Sequence, residues 1–170
     1  HYLTLYLKIL ENFNFKIFLN EHYLPFTGIK NNFPNTYYHV HIDERWTFFD
    51  ESFFEKFKNK INILSTSDNL VITSNLNGNI YYNKLFDNLR TNKKIYFKND
   101  ASIDDLITII YYSHTVISSH TGFIVHAAAS FKKKIIDIVS PKIFNELDRW
   151  IPFNVNYVRL SFNDFFNVKF

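Results

Sequence analysis

The sequence predicts an α/β fold in which a doubly wound parallel sheet carries helices on both faces. Short β-rich runs alternate with helical stretches from residue 37 onward, and this alternation is typical of βαβ units with right-handed crossovers. The runs TVISS (115–119) and KIIDIV (134–139) are rich in β-branched residues, which suits central strands buried on both faces. The chain has 170 residues, and one domain of this kind needs about 100–200.

The first elements are less regular than the rest. Residues 3–13 have helical spacing, and 15–20 read as a strand. The stretch 21–35 contains Pro25, Gly28 and Pro34 and therefore reads as a loop or linker. The chain begins with His1 rather than Met, so we expect a piece of a longer protein. Residues 1–35 are then predicted to be the tail of a preceding domain with its linker, and 36–170 a Rossmann-like domain.

The repeating unit follows this linker. The helix predicted at 50–61 has acidic residues in its first turn and lysines later, which complements the helix dipole. The helix at 102–112 has Ser102 as its N-cap and Asp104 and Asp105 in its first turn, and dipole complementation explains these acids better than a metal–nucleotide site. The predicted strands are 37–42, 70–74, 94–98, 115–119, 134–139 and 156–160, and the remaining helices are 79–90, 121–131 and 161–169.

Composition excludes several kinds of site. There is no cysteine, and the three glycines are isolated, so thiolate metal sites and Gly-rich phosphate loops are absent. The net charge of +3 comes from interspersed acids and bases, and we expect no nucleic-acid partner. The longest uncharged run, 106–131, is too polar for a membrane span. Lys8 and Glu11 interrupt any short apolar segment near the start, so we expect no signal peptide. We expect a cytoplasmic protein, at most peripheral at the inner face of the membrane.

Parallel sheets of this kind bind ligands outside the carboxyl ends of their strands. That edge is predicted to carry residues 43–46, 74–79, 99–102, 118–122 and 140–141, whereas Lys132–Lys134 lie in a solvated turn at the opposite edge. Gly122 lets a ligand approach the backbone where a strand meets a helix, and the free N–H groups there favour anions. Ser119 and Thr121 add hydroxyl donors, although a plain N-cap turn is an equal alternative.

The motif His39-x-His41-x-Asp43 is a second constellation. Alternation along a strand places both imidazoles on one face. As a metal site it would resemble the HxH strand of metal-dependent hydrolases, but a barrel of that type needs about 250 residues. A polar strand end facing a substrate is the better interpretation.

Charged residues beside tryptophans form the remaining candidates. Arg45 pairs either with a phosphate or with a neighbouring acid, and Trp46 either stacks on a ligand or anchors the next helix. Glu146 and Asp148 follow the last central strand, where a carboxylate could hold a ribose; surface charge is the alternative.

Three segments together resemble the C-terminal, donor-binding domain of GT-B glycosyltransferases, in particular the heptosyltransferase-like branch. HVHIDERWTFFDESFFEKF (39–57) is similar to the first strand, loop and helix of that domain, and SIDDLITIIYYSHTVISS (102–119) to the helix and strand before the family's signature. SHTGFIVHAAASFKKKIIDIV (119–139) resembles the signature itself. His120 stands where the family has an acidic residue, and His126 follows Gly122 by four residues instead of three.

The resemblance implies an enzyme that transfers a sugar from a nucleoside-diphosphate sugar to a surface glycan or a lipopolysaccharide-type acceptor, with neither metal nor cofactor. The general base of such enzymes normally comes from the other, N-terminal domain, so this chain would be the donor half. The implied roles are diphosphate binding (Ser119, Thr121, Gly122, Arg45), donor sugar or ribose binding (His41, Asp43, Glu146, Asp148) and catalysis (candidates His120 and His126). A non-catalytic nucleotide- or sugar-binding domain is the alternative, followed by a metal-dependent hydrolase using His39, His41 and Asp43.

Overall fold

A computed structural model describes residues 31–74, 80–140, 151–152 and 154–168. It contains one six-stranded sheet in which every pairing is parallel. The strands are β1 (Tyr38–Ile42), β2 (Leu70–Ser74), β3 (Ile95–Lys98), β4 (Thr115–Ser118), β5 (Lys134–Ile138) and β6 (Tyr157–Leu160). Their order is β3-β2-β1-β4-β5-β6, so the direction of winding reverses between β1 and β4. This confirms the predicted doubly wound α/β fold.

Helices connect β1 to β2, β2 to β3, β3 to β4 and β4 to β5, as the alternation predicts, and one more helix follows β6. They are α1 (Glu51–Ser67), α2 (Ile80–Leu89), α3 (Ile103–Tyr112), α4 (Gly122–Ser130) and α5 (Phe162–Asn167). Helix α1 continues six residues beyond the predicted end at 61, because Leu64 and Ser65 extend its buried face. A short 3-10 helix at Glu44–Phe48 was not predicted. The elements predicted at 3–13 and 15–20 lie outside the described residues.

The two faces of the sheet are covered by different helices. One core contains Val40, Ile42 and Ile72 of the central strands together with the apolar faces of α1, α2 and α5. The other core joins Val116 and Ile135 to α3 and α4. Burial on both faces explains why the central strands are nearly continuous apolar runs.

Local signals position the helix starts. The Ser102 hydroxyl accepts the N–H of Asp105 while the Asp105 carboxylate accepts the N–H of Ser102, a capping box. This confirms that the acidic pair serves the start of α3. Lys132 has a left-handed backbone (φ 54°) and is exposed in the turn between α4 and β5. That turn lies at the amino edge of the sheet, as predicted.

Candidate functional site

The turns that follow β1 and β4 lie side by side at the carboxyl edge of the sheet. Pairing between these strands ends at Val40–Ile117, whereas β1 stays paired with β2 as far as Ile42–Ser74. Strands β1 and β4 therefore separate at their carboxyl ends, at the place in the sheet where the winding reverses. Open α/β sheets bind ligands at this switch point.

Asp43 joins the two turns. Its Oδ2 accepts hydrogen bonds from the Thr121 hydroxyl (2.5 Å) and the Arg45 guanidinium (3.2 Å), and its Oδ1 accepts the Arg45 backbone N–H (3.0 Å). Burial raises the pKa of the Asp43 carboxyl, and the bonds from Thr121 and Arg45 oppose that rise. Three predicted site residues are thus in direct contact. Asp43 itself is only 1% exposed, while 36% of the Arg45 side chain remains exposed.

Helix α4 begins at this junction without a side-chain cap. Thr121 is its N-cap residue, but the hydroxyl bonds Asp43 instead of a helix N–H. Val125 is the first residue whose N–H reaches a helical acceptor, the carbonyl of Thr121, so the preceding N–H groups have no partner within the helix. A Cβ added to Gly122 would meet nothing within 4 Å. The predicted anion turn therefore has open space beside free backbone donors.

The other residues predicted for this turn differ in exposure. Ser119 is buried, with 6% of its surface exposed. His126 is exposed, one turn into α4. Glu146 and Asp148, predicted to hold the ribose, lie outside the described residues.

His39 and His41 are fully buried and share one hydroxyl. His39 Nε2 and His41 Nδ1 each lie 2.8 Å from Thr73 Oγ1. Burial lowers the pKa of both imidazoles, that of His41 to about 4, so both rings are neutral at pH 7. Alternation correctly places them on one face, but both side chains on that face are completely buried. His41 therefore presents no exposed surface for its predicted contact with the donor sugar.

The contacts of His39, His41 and Asp43 argue against a metal-dependent hydrolase. Asp43 bonds Thr121 and Arg45, while His39 and His41 turn to Thr73. Within the described ranges, no group of three or more His, Asp or Glu side chains is arranged to hold a metal ion. The predicted set of His39, His41 and Asp43 is not assembled.

Trp46 anchors the 3-10 helix and does not offer its face to a ligand. Its side chain is fully buried, and Nε1–H donates to the carbonyl of His41 over 3.0 Å. The ring packs on Phe49 and Phe57, with centroids 5.2 and 4.8 Å away. Of the two interpretations left open for Trp46, the structure supports the anchor.

A buried carboxylate beside this site was missed by the sequence reasoning. Asp137 on β5 has no exposed surface, and its Oδ1 accepts the backbone N–H of His120 (2.5 Å). Its Oδ2 is bonded to His120 Nδ1 and accepts the Tyr157 hydroxyl (2.6 Å), and Ser118 lies 3.4 Å from Oδ1. The available signal was a charged residue inside the otherwise apolar strand IIDIV, since a buried carboxylate requires donors.

Comparison of the whole chain with known proteins gives likeness in structure alone. No family model matches, and no curated protein matches. The Escherichia coli heptosyltransferase WaaC, solved with ADP-2-deoxy-2-fluoro heptose, superposes with a TM-score of 0.54 at 15% identity, over 76% of this chain and 38% of that one. A family 9 glycosyl transferase from Veillonella parvula gives 0.55 at 9%, over 78% and 36%. The fold is GT-B-like.

UDP-GlcNAc 2-epimerase from Methanocaldococcus jannaschii also superposes on this chain, about as well as the two transferases do. Its TM-score is 0.54 at 13% identity, over 76% of this chain and 36% of the epimerase. This chain thus spans less than two-fifths of the length of each of these three proteins. Among the helices that the structure describes, none is long and apolar enough to cross a membrane.

Proposed function

We propose that this chain is the donor-binding half of a GT-B glycosyltransferase, and that it binds a nucleoside-diphosphate sugar at the carboxyl edge between β1 and β4. The observation that carries the proposal is the uncapped start of α4 at the switch point of a GT-B-like sheet. Backbone N–H groups at a helix start favour anions, and the helix dipole adds to that preference. The open space at Gly122 would let a diphosphate reach them.

In this proposal the diphosphate rests on the backbone at Thr121–Gly122. Ser119 remains a proposed diphosphate contact through its hydroxyl, and Arg45 turns its partly exposed guanidinium from Asp43 toward a phosphate oxygen. Fixed donors stabilise negative charge as it develops on the departing nucleoside diphosphate, when the bond to the sugar breaks. No metal ion is needed for that charge stabilisation. Glu146 and Asp148 remain proposed ribose contacts.

The acceptor would be a glycan or a lipopolysaccharide-type molecule, and its general base would come from the partner domain of the GT-B architecture. We place the reaction in the cytoplasm, at the inner face of the membrane. A non-catalytic nucleotide-sugar-binding domain is the second candidate. It is favoured by the enclosure of Asp43 and His41, which leaves few exposed side chains to contact a sugar.

Calorimetric titration with ADP-, GDP-, UDP- and CDP-sugars, each with and without EDTA, tests the proposal. We expect one nucleotide class to bind, with an affinity unchanged by EDTA. Failure of all four classes to bind would contradict both candidates, and loss of binding in EDTA would contradict metal independence.

Transfer itself is assayed on the full-length gene product with the preferred donor and a glycan acceptor, and NMR of the sugar separates transfer from epimerisation. A released nucleoside diphosphate with a new glycosidic bond supports the transferase. Donor binding with no change in the sugar supports the non-catalytic candidate.

A further inference from the structure

His120 is held in an unusual conformation by a single carboxylate. Its backbone is left-handed, with φ 55°, which is uncommon for a residue with a side chain and persists where the surroundings fix it. Here the backbone N–H donates to Asp137 Oδ1 over 2.5 Å, and ring Nδ1 bonds Oδ2 of the same side chain. Asp137 therefore fixes both the turn and the imidazole plane.

The carboxylate is itself immobilised by neighbouring strands. The Tyr157 hydroxyl on β6 donates to Oδ2 over 2.6 Å. Burial, followed by the charge and hydrogen bond of Asp137, raises the pKa of Tyr157, so this hydroxyl keeps its proton and remains a donor. Arg159 Nε lies 3.5 Å from the same hydroxyl. Asp137 is thus a buried acceptor whose oxygens are both occupied.

This arrangement leaves Nε2 as the free end of the ring. The side chain of His120 is only 8% exposed. No hydrogen bond to its Nε2 is found within the described part of the chain. Nε2 nevertheless does not count among the fully buried polar atoms without a partner, so it reaches the surface. His120 follows β4 directly and precedes Thr121, so its exposed part lies at the carboxyl edge. An imidazole nitrogen therefore lies beside the start of α4, on a ring that Asp137 orients through Nδ1.

We propose that His120 contacts a phosphate group of the ligand directly through Nε2, and that Asp137 is the residue that positions it. The inference rests on the proposed function, which it deepens by naming a side chain that recognises the diphosphate. Nδ1 stays bonded to Asp137, and Nε2–H donates a hydrogen bond to a phosphate oxygen. The ring then bridges two anions, the carboxylate and the phosphate.

The test uses inorganic pyrophosphate as the probe and NMR of the chain with ¹⁵N-labelled histidine. We expect pyrophosphate to shift the Nε2 resonance of His120. His120→Asn should weaken pyrophosphate binding about tenfold or more. Asparagine tolerates a left-handed backbone and keeps the N–H that bonds Asp137, so the turn should survive.

His114→Asn is the matched control. His114 also lies beside an aspartate, with Nε2 3.2 Å from Oδ2 of Asp68, but it precedes β4 and so lies at the amino edge of the sheet. Pyrophosphate affinity should not change in this variant. An equal loss in both variants would contradict a specific contact at His120.

Asp137→Asn tests the positioning role, with the ¹⁵N pattern of His120 as its readout. We expect the protonated nitrogen to shift away from Nδ1 and pyrophosphate binding to weaken. Should this variant fail to fold, Tyr157→Phe removes one donor from the same carboxylate and should alter the same resonances. Unchanged His120 resonances in the folded variant would overturn the role of Asp137.

The inference and the proposed function fail in different ways. If His120→Asn binds pyrophosphate as tightly as the unaltered chain while Gly122→Val does not, the His120 contact is wrong and the anion turn stands. If the unaltered chain does not bind pyrophosphate, the phosphate contact is wrong, and the nucleotide-sugar titration decides the function separately.

Discussion

Thr121 donates a hydrogen bond from its hydroxyl to the carboxylate of Asp43, with 2.5 Å between Oγ1 and Oδ2. The bond ties the turn after β4 to the turn after β1, across the point where the strand order reverses. Because this hydroxyl bonds Asp43, it does not cap the start of α4 as an N-cap threonine ordinarily would. One contact thus closes the junction between the two halves of the sheet and leaves the helix N–H groups without a side-chain partner.

Thr121→Val should lower the free energy of unfolding by about 1–3 kcal/mol, because the nearly buried Asp43 carboxylate loses a donor. Chemical denaturation measures the change. Thr47→Val is the control, since the Thr47 hydroxyl bonds only the backbone carbonyl of Glu44 at the surface. Equal losses of unfolding free energy in the two variants would show that the bond to Asp43 stabilises the fold no more than a surface hydrogen bond does.

Gly122→Val should abolish binding of nucleoside diphosphates while the domain stays folded. The added atoms enter the open space at the start of α4, where the proposed phosphates approach the backbone. Gly122→Ala serves as the graded control, and its smaller side chain should cause a smaller loss of affinity. Calorimetry gives the affinity and thermal melting verifies the fold; full affinity in a folded Gly122→Val chain would refute the anion turn.

Acidification should destabilise the fold through His39 and His41. An unfolded histidine has a pKa of about 6.5, whereas burial lowers the pKa of His41 to about 4 and also lowers that of His39. The unfolded chain therefore binds more protons between these values. Stability that is present above pH 6.5 is lost as the pH falls toward 4, by on the order of 3 kcal/mol from His41 alone.

Denaturation at a series of pH values measures this loss. The double variant His39→Leu/His41→Leu should flatten the profile over that interval, whatever its absolute stability. Thr47→Val is the control, because it removes a surface hydroxyl that binds no proton over this interval and should leave the profile in place. A profile unchanged by the double variant would assign acid sensitivity to other groups.

Trp46→Phe should lower the free energy of unfolding by about 1–3 kcal/mol. The substitution removes the hydrogen bond to the His41 carbonyl and leaves a void among packed rings. Fluorescence-monitored denaturation is unsuitable for a variant lacking this indole, so circular dichroism is used. Tyr111→Phe, at a side chain 40% exposed, is the control. If Trp46 stacked on the ligand instead, the substitution would reduce the free energy of nucleotide binding by more than it reduces the free energy of unfolding.

Most of the sheet was predictable because its signals are local. Periodicity located β1 to β6, and the acids after Ser102 indicated the start of α3. Crossover rules then gave parallel strands with helices on both faces. The 3-10 helix at Glu44–Phe48 was missed because what holds it, the cap at Asp43 and the burial of Trp46, depends on tertiary packing.

The candidate site was predictable only in part. Sheet topology correctly brought Asp43, Arg45 and Thr121 to one edge. The burial of His41 was not predictable, because alternation says which residues share a face and not whether a helix covers that face. The Asp137 network joins the turn after β4 to β5 and β6, and no spacing along the chain encodes such a meeting.

The hydroxyl that His39 and His41 share has only one proton to give. If Thr73 donates to His41 Nδ1, then His39 must donate from Nε2, and both rings carry their hydrogen on Nε2. If Thr73 donates to His39 instead, both rings carry it on Nδ1. In a third arrangement the hydroxyl oxygen accepts a hydrogen bond from each ring, so that His39 carries its hydrogen on Nε2 and His41 on Nδ1. Since one hydroxyl cannot donate to both rings, at least one of the two nitrogens that face Thr73 carries a proton.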